Sequence, residues 1–316
     1  NHWRKVPAFK TLVLKIVADD STRLAQVQSG DLDVAPIPLS LKPEAQSANL
    51  KIASIPSIGV SNMYLGGQFP GYPYNDPKSP WIQADNPDKG LAIRKALSFA
   101  IDRKAILNKV LFGTGELIAA PICFPPGLAF DDTTWKLPAY DTGKAKQMLA
   151  QGGYPAGFTL NSPIFNPPGR PSSSAIGEAV AGMWEAIGVK VNRQPMDFTT
   201  MRAKLVARST AGLAWQWTAP FYDEPLDALH ISYVSTGASA NFYDPDITAA
   251  VASMSAQPSQ SKRFATARSL GTKLIADVRA IPLFTVGSAT TIGGKVKSWV
   301  FVNGNAEFHN PEYLAP

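Results

Sequence analysis

Residues 11–37 read TLVLKIVADDSTRLAQVQSGDLDVAPI, and the class of the fold turns on how they are parsed. TLVLKIV, residues 11–17, is rich in β-branched residues and alternates, which is the pattern of a strand. Asp20 or Ser21 offers a side-chain oxygen to free N–H groups, so a short helix over TRLAQVQS is expected next. Gly30 closes it, because glycine accepts the left-handed conformation of a helix end. DLDVAPI is a second strand, halted by Pro36 and Pro38. Strand, helix, strand is the repeating unit of an α/β layer.

The same alternation of element types continues outward. KIASIPSI and SNMYLGG read as two more extended runs, and residues 69–90 as a long loop rich in Pro, Gly, Asn, Asp and Tyr. Residues 91–111 read as one long helix, with Ile93, Leu97, Ala100 and Ile101 at helical spacing and Gly113 as its stop. Residues 113–140 are irregular. Asp141 caps a helix over TGKAKQMLAQ, and FTLNSPIF is a strand. Residues 175–187 form a helix with Val180, Met183, Trp184 and Ile187 on one stripe. VKVNRQPM is a strand, and residues 199–207 a helix. Asp244 caps a helix that starts at Pro245, and residues 262–278 form another. AIPLFTV is an apolar strand, and two short β-like runs, ATTIGG and KSWVFV, follow it.

Composition narrows the function. With 316 residues, 45% hydrophobic and 17% charged, the chain is globular and long enough to divide into two lobes. No apolar run approaches the ~20 residues of a membrane-spanning helix. The net charge of +6 is scattered, without the clustered basic stripe of a nucleic-acid binder. Cys123 is the one cysteine, so no intrachain disulfide forms; that fits a reducing cytosol or a bridge-free periplasmic protein. No charged-then-apolar signal segment opens the chain.

Catalytic motifs are missing. The three histidines, His2, His230 and His309, form no H-E-x-x-H pair, and there is no G-x-S-x-G elbow or phosphate loop. Ser259 to Lys262 matches S-x-x-K without its companion motifs, and Gly113-Thr-Gly115 lacks a third glycine. No cofactor is implied. A cleft hydrolase would need a paired acid, base or nucleophile, and the acid pairs Asp131-Asp132 and Asp223-Glu224 sit in loops. A structural module that binds a protein partner would instead show a large exposed apolar patch.

The most unusual segment is WQWTAPFYDEPLDAL, residues 215–229, too broken by proline for a helix. Trp215, Trp217, Phe221 and Tyr222 offer rigid apolar faces suited to a ligand wall, and Asp223 and Asp227 can pair with a cation. The competing reading places Trp215 and Trp217, two residues apart, on the core face of a strand.

Several segments taken together carry a family resemblance. They are the opening stretch with His2-Trp3 and Ser29-Gly30-Asp31-Leu32-Asp33, the helix IRKALSFAIDRKAILNKVLFGTGELIAAP, the run YDTGKAKQMLAQGGYPAGF, the segment WTAPFYDEPLDAL, and SANFYDPDITAAV. In this order they resemble the bacterial extracellular solute-binding proteins of family 5, the dipeptide- and oligopeptide-binding type. The resemblance implies an α/β, two-lobed periplasmic-binding-protein-like fold of the type II, large peptide-binding class. It further implies a partial first lobe plus a complete second lobe, with an N-terminal portion and signal peptide absent. Residues 1–62 would belong to lobe 1, 63–282 to lobe 2, and 283–316 to the return strands of lobe 1. Hinge crossings are expected at residues 57–64 and 281–285.

The implied function is a monomeric receptor, periplasmic or a cell-surface lipoprotein, that captures a peptide-like or other polar solute and delivers it to the permease subunits of an ABC importer. Asn62 and Tyr64, where the chain crosses, join Trp215, Trp217, Phe221, Tyr222 and Asp223 as expected ligand contacts; no metal is expected. One departure stands out. Peptide-binding members carry an aspartate shortly after the tryptophan to pair with the peptide amine, and here Pro220 or Phe221 falls at that place. Either Asp223 takes over, or the ligand is a non-peptide such as an opine or oligosaccharide. Phe165, Asn166 and Arg170 end a strand; Arg170 can grip a carboxylate with both arms or simply be solvated. Arg94, Asp102 and Arg103 read as structural, and Cys123 as an inert thiol.

Overall fold

The fold is that of a computed structural model, which describes residues 10–125, 132, 134–222, 224–238, 240–297, 301–302 and 305–309. Helix α1 spans Asp20–Ser29 and buries Leu24 and Val27. Its cap is Asp19, one residue earlier than expected, whose carboxylate accepts from the Thr22 N–H at 2.7 Å. Gly30 ends it at φ +83°, in the left-handed region. Strand β1, Val34–Ile37, follows.

The expected strand over residues 11–17 does not form. The stretch is extended but pairs with no described strand, and Leu14 and Ile16 are 85% and 101% exposed. β-rich composition expresses itself only where a neighbouring strand supplies hydrogen bonds and a face to pack on, and no described strand does so here.

A single 3-10 turn, Leu39–Leu41, and helix α2, Lys42–Ser47, lead into strand β2, Lys51–Leu65. The two extended runs expected here are thus one strand of 15 residues. The expected helix over 91–111 is two: α3, Pro87–Phe99, and α4, Arg103–Lys109. The break is chemical. The Asp102 carboxylate accepts from the Ala105 N–H at 2.9 Å and starts a new helix, which helical periodicity alone cannot reveal. Asp141 caps α5, Thr142–Gln151, as its sequence predicts.

Strands β3, Thr159–Ile164, and β4, Lys190–Pro195, pair in parallel and are linked by helix α6, Ser173–Glu185. Helix α7, Phe198–Val206, precedes strand β5, Ala214–Pro220. The proline-rich stretch after β5 does contain a helix, α8, Pro225–Tyr233, because Pro225 occupies the first turn, where no N–H is needed. Helices α9, Pro245–Ser255, and α10, Gln260–Asp277, deliver the chain to strand β6, Ala280–Ile292. Strand β6 absorbs both AIPLFTV and the start of ATTIGG. The short strands β7, Phe301–Val302, and β8, Asn305–His309, pair with each other; part of KSWVFV lies outside the described residues. No helix among the described residues is long and apolar enough to cross a membrane.

The central sheet has the order β1-β6-β2-β5, antiparallel throughout. At one end, β6 runs between β1 and the first residues of β2, with Ile292 opposite both Val34 and Lys51. At the other end, β2 runs between β6 and β5, with Tyr64 opposite both Ala280 and Trp215. The two ends meet at a break in register: Ile55 pairs with Ser288 but Gly59 with Val286, so residues 56–58 face the single residue Gly287. Such a bulge bends the strand that carries the extra residues. Two large apolar clusters clothe the sheet. One gathers Met63, Leu97, Trp184 and Phe284, the other Tyr64, Trp215, Tyr233 and Phe242.

Candidate functional site

Alternation along β2 and β5 sorts their side chains onto two faces. The pairs Val60–Ala219, Asn62–Trp217 and Tyr64–Trp215 share one face, and Ser61–Thr218 and Met63–Gln216 the other. Four residues expected to touch ligand, Asn62, Tyr64, Trp215 and Trp217, therefore do come together as cross-strand neighbours. Three of them lie inside the protein, with Asn62 and Trp215 at 0% exposure and Tyr64 at 1%.

The Tyr64 and Trp215 rings sit 5.8 Å apart, and the Asn62 amide donates to the Tyr64 hydroxyl at 3.2 Å. Burial raises the Tyr64 phenol far above its ordinary value. Trp217 is half-buried and leans on Phe165 and Phe198, at 6.1 and 5.9 Å. Phe221 and Tyr222 are also half-buried and pack on the same cluster. The Tyr222 phenol is pushed up to about 12, mainly by burial. Asp223 lies outside the described residues. Cys123 is buried beneath this face, and burial pushes its thiol up to about 12.

The opposite face opens onto a cavity. Its floor is Thr218 of β5, Ile58 from the bulge of β2, and Val286 to Ser288 of β6. One wall is Pro36 to Leu39, at the end of β1 and the turn after it. The other is Gly169 to Ser173 with Ile176, the approach to α6 and its first turns. The cavity thus straddles the register break, with walls from both ends of the sheet. It encloses about 20 Å³, room for one or two water-sized groups.

Its polar side chains among the described residues are one arginine and four hydroxyls. Arg170 is 4% exposed, contrary to a solvated loop arginine, and donates from one guanidinium nitrogen to the Gly169 carbonyl at 3.1 Å. The loop that carries it is fixed by turns: the Arg170 N–H donates to the Pro167 carbonyl, and the Ser173 N–H to that of Arg170. Asn166 accepts from the Ser174 N–H at 2.8 Å and holds the start of α6 in place. The Ser173 hydroxyl is buried and has no hydrogen-bond partner. Thr218 accepts from the Gln216 amide at 2.8 Å, as does Ser61. Ser172 and Ser288 add two more hydroxyls; no carboxylate is among the described residues that line the cavity.

Arg94 and Arg103 are structural. Arg94 donates to the Asp277 and Trp81 carbonyls, and Arg103 to those of Ser98, Ile101 and Pro282. Among the described residues, no three histidine, cysteine or acidic side chains converge as a metal site. Sequence reasoning missed the wall at residues 36–39, the floor at Ile58 and Thr218, and the serines. The triplet Ser172-Ser173-Ser174 after a Pro/Gly loop was the available signal, since serines there cap helices or face ligands.

A family model described as "Bacterial extracellular solute-binding proteins, family 5 Middle" matches residues 1–240. Heme-binding protein A of Haemophilus influenzae is 29% identical over 208 residues, 65% of this chain and 35% of the relative. The glutathione-binding protein GsiB of Salmonella typhimurium is 28% identical over 199 residues, 62% of this chain and 35% of the relative. The matched stretch therefore spans about a third of the length of these curated relatives. The crystal structure of a dipeptide-binding protein from Pseudoalteromonas sp. SM9913 in complex with Met-Leu superposes with a TM-score of 0.80 at 19% identity. That match covers 99% of this chain and 59% of the other, and establishes the likeness of fold.

Proposed function

The chain belongs to the bacterial extracellular solute-binding proteins of family 5, and from that premise we propose that it serves as a receptor of an ABC importer. It captures a peptide-like or other polar solute between two lobes and passes it to the permease. Residues 1–62 and 283–316 contribute to one lobe and 63–282 to the other, with the bend at the bulge of β2 opposite Gly287. The observation that carries this reading is the position of the cavity. It lies where the two long strands cross between the ends of the sheet, and each end supplies a wall.

At about 20 Å³ the cavity holds one functional group of a solute, so a larger ligand enters by opening the bend. Trp217, Phe221 and Tyr222, all half-buried, are the aromatic residues placed to meet the rest of the solute. Asn62, Tyr64 and Trp215 act from beneath, fixing the strands. The relatives named for heme and glutathione, and the neighbour holding Met-Leu, are binding proteins and support receptor work in place of turnover. Such a receptor works outside the inner membrane, in the periplasm or on the cell surface, as a monomer.

Protein purified from its own cells, then denatured, tests the reading by mass spectrometry of what it releases. A discrete intact solute supports a receptor. Intact compound mixed with its cleavage products would instead indicate an enzyme.

A further inference from the structure

We propose that the turn at residues 115–117 is a strap that holds the first half of β6 rigid and so confines the bend that opens the cavity to residues 286–288, with Gly115 and Thr285 as its positioning residues. The inference rests on the receptor reading, in which a solute enters by opening that bend. The strap lies on the edge of β6 that β2 leaves free. The Thr285 N–H donates to the Glu116 carbonyl at 2.8 Å, and the Thr285 hydroxyl accepts from the Glu116 N–H at 2.9 Å. Leu117 pairs with Phe284 as an isolated antiparallel bridge. Further along the same edge, β1 pairs with residues 289–292. Between these two braces lie Val286, Gly287 and Ser288, where no described strand covers the edge and where β2 carries its bulge. The same three residues line the cavity.

The strap is tied down at both ends. It leaves α4 by way of Leu111, buried in one apolar cluster, and runs on to Ile118, buried in the other. Helix α4 is itself bound to β6, since Arg103 donates to the Pro282 carbonyl at 2.7 Å. The fit at the crossing is close. Gly115 has φ +118°, and a Cβ there would lie 2.1 Å from the Thr285 carbonyl oxygen, so only glycine lets the two backbones meet. A strand bonded along both edges resists bending, and motion collects where the backbone bonds are fewest. A bulge on one edge with no brace on the other is such a place.

Amide exchange of the 316-residue chain, followed by NMR, tests the brace without mutation. The Thr285 amide is expected to exchange about a hundredfold or more slower than that of Gly287. Equal rates overturn the strap. Bending itself is read by electron–electron resonance between spin labels on Ser47→Cys in α2 and Lys262→Cys in α10, both exposed sites; Cys123, 1% exposed, stays unlabelled. Thr285→Val removes the oxygen that accepts from Glu116 and keeps a β-branched side chain, and is expected to widen the distance distribution about twofold. Gly115→Val, which drives a side chain against the Thr285 carbonyl, is expected to widen it further.

Should Gly115→Val fail to fold, Thr285→Val decides, and exchange on the unsubstituted chain stands whether or not either variant folds. A contact that is merely structural lowers the urea midpoint and leaves the distances unmoved; that result overturns the inference. The receptor reading is judged separately, by the solute released from native protein, and stands or falls without the strap.

Discussion

The two faces of the β2–β5 pair are built from the same seven residues of each strand, yet they do different work. One face stacks Tyr64 on Trp215 and seals Asn62 beneath them. The other carries Ser61, Gln216 and Thr218, joined through one amide, and opens onto the cavity. The aromatic face holds the strands in place; the hydroxyl face is where a solute group can be met. Aromatic residues draw the eye in a sequence, but at this pair it is Thr218, a small polar residue between them, that lines the free space.

The contrast breaks most easily at Trp215. Truncating a fully buried indole leaves a large void, so Trp215→Ala is expected to cost about 3–5 kcal/mol of stability in urea unfolding. A loss below about 1 kcal/mol would mean that this face is not core. Gly59 offers the next largest effect. A Cβ built there lies 2.2 Å from the Ala219 carbonyl oxygen, so Gly59→Ala is expected to cost about 1–3 kcal/mol by forcing β2 and β5 apart. Unchanged stability would show that the strands beside the bulge yield freely.

Alkaline pH probes the aromatic face without mutation. Cys123 and Tyr222 are both pushed up to about 12, so in the folded state they keep protons that the unfolded chain releases from about pH 9 upward. The folded state binds more protons in that window, hence stability falls as pH rises from about 9 to 12 and is unaffected below it. The buried Cys123 contributes on the order of 1 kcal/mol per pH unit, and the half-exposed Tyr222 less, because solvent screens it. Melting temperature followed across that range checks the sign, and Cys123→Ala is expected to flatten the lower part of the decline. The smallest effect on stability is expected at Thr218→Val, within about 1 kcal/mol, since Gln216 keeps Ser61 as acceptor. The same variant is expected to weaken binding of the released solute several-fold; equal affinity would remove Thr218 from the site.

Much of the fold was legible because it is written in local chemistry. Asp141 and Asp244 announce their helices, Gly30 ends one, and Trp184 marks the buried stripe of α6. The break between α3 and α4 was hidden because helical spacing persists through Ala100 and Ile101 while Asp102 restarts the hydrogen bonding. The site was harder for a general reason. Asn62, Tyr64, Trp215 and Trp217 were expected to touch ligand and turn out to be cross-strand neighbours, but which face of a strand meets a cavity depends on what packs opposite it. For Thr218 that is Arg170, Ile58 and Pro36, which are far apart in sequence.

The stretch from Leu12 to Ile16 has a consequence for handling the protein. Leu12, Val13, Leu14 and Ile16 are 50%, 67%, 85% and 101% exposed, in an extended backbone whose hydrogen-bonding groups pair with no described strand. A ribbon of that kind is a template on which a second copy can deposit its own, so the isolated chain is expected to self-associate with rising concentration. Sedimentation velocity on the parent and on Leu14→Lys/Ile16→Lys reads this directly. The lysines interrupt the sticky ribbon without touching the sheet, and the doubly substituted chain is expected to stay monomeric where the parent forms larger species.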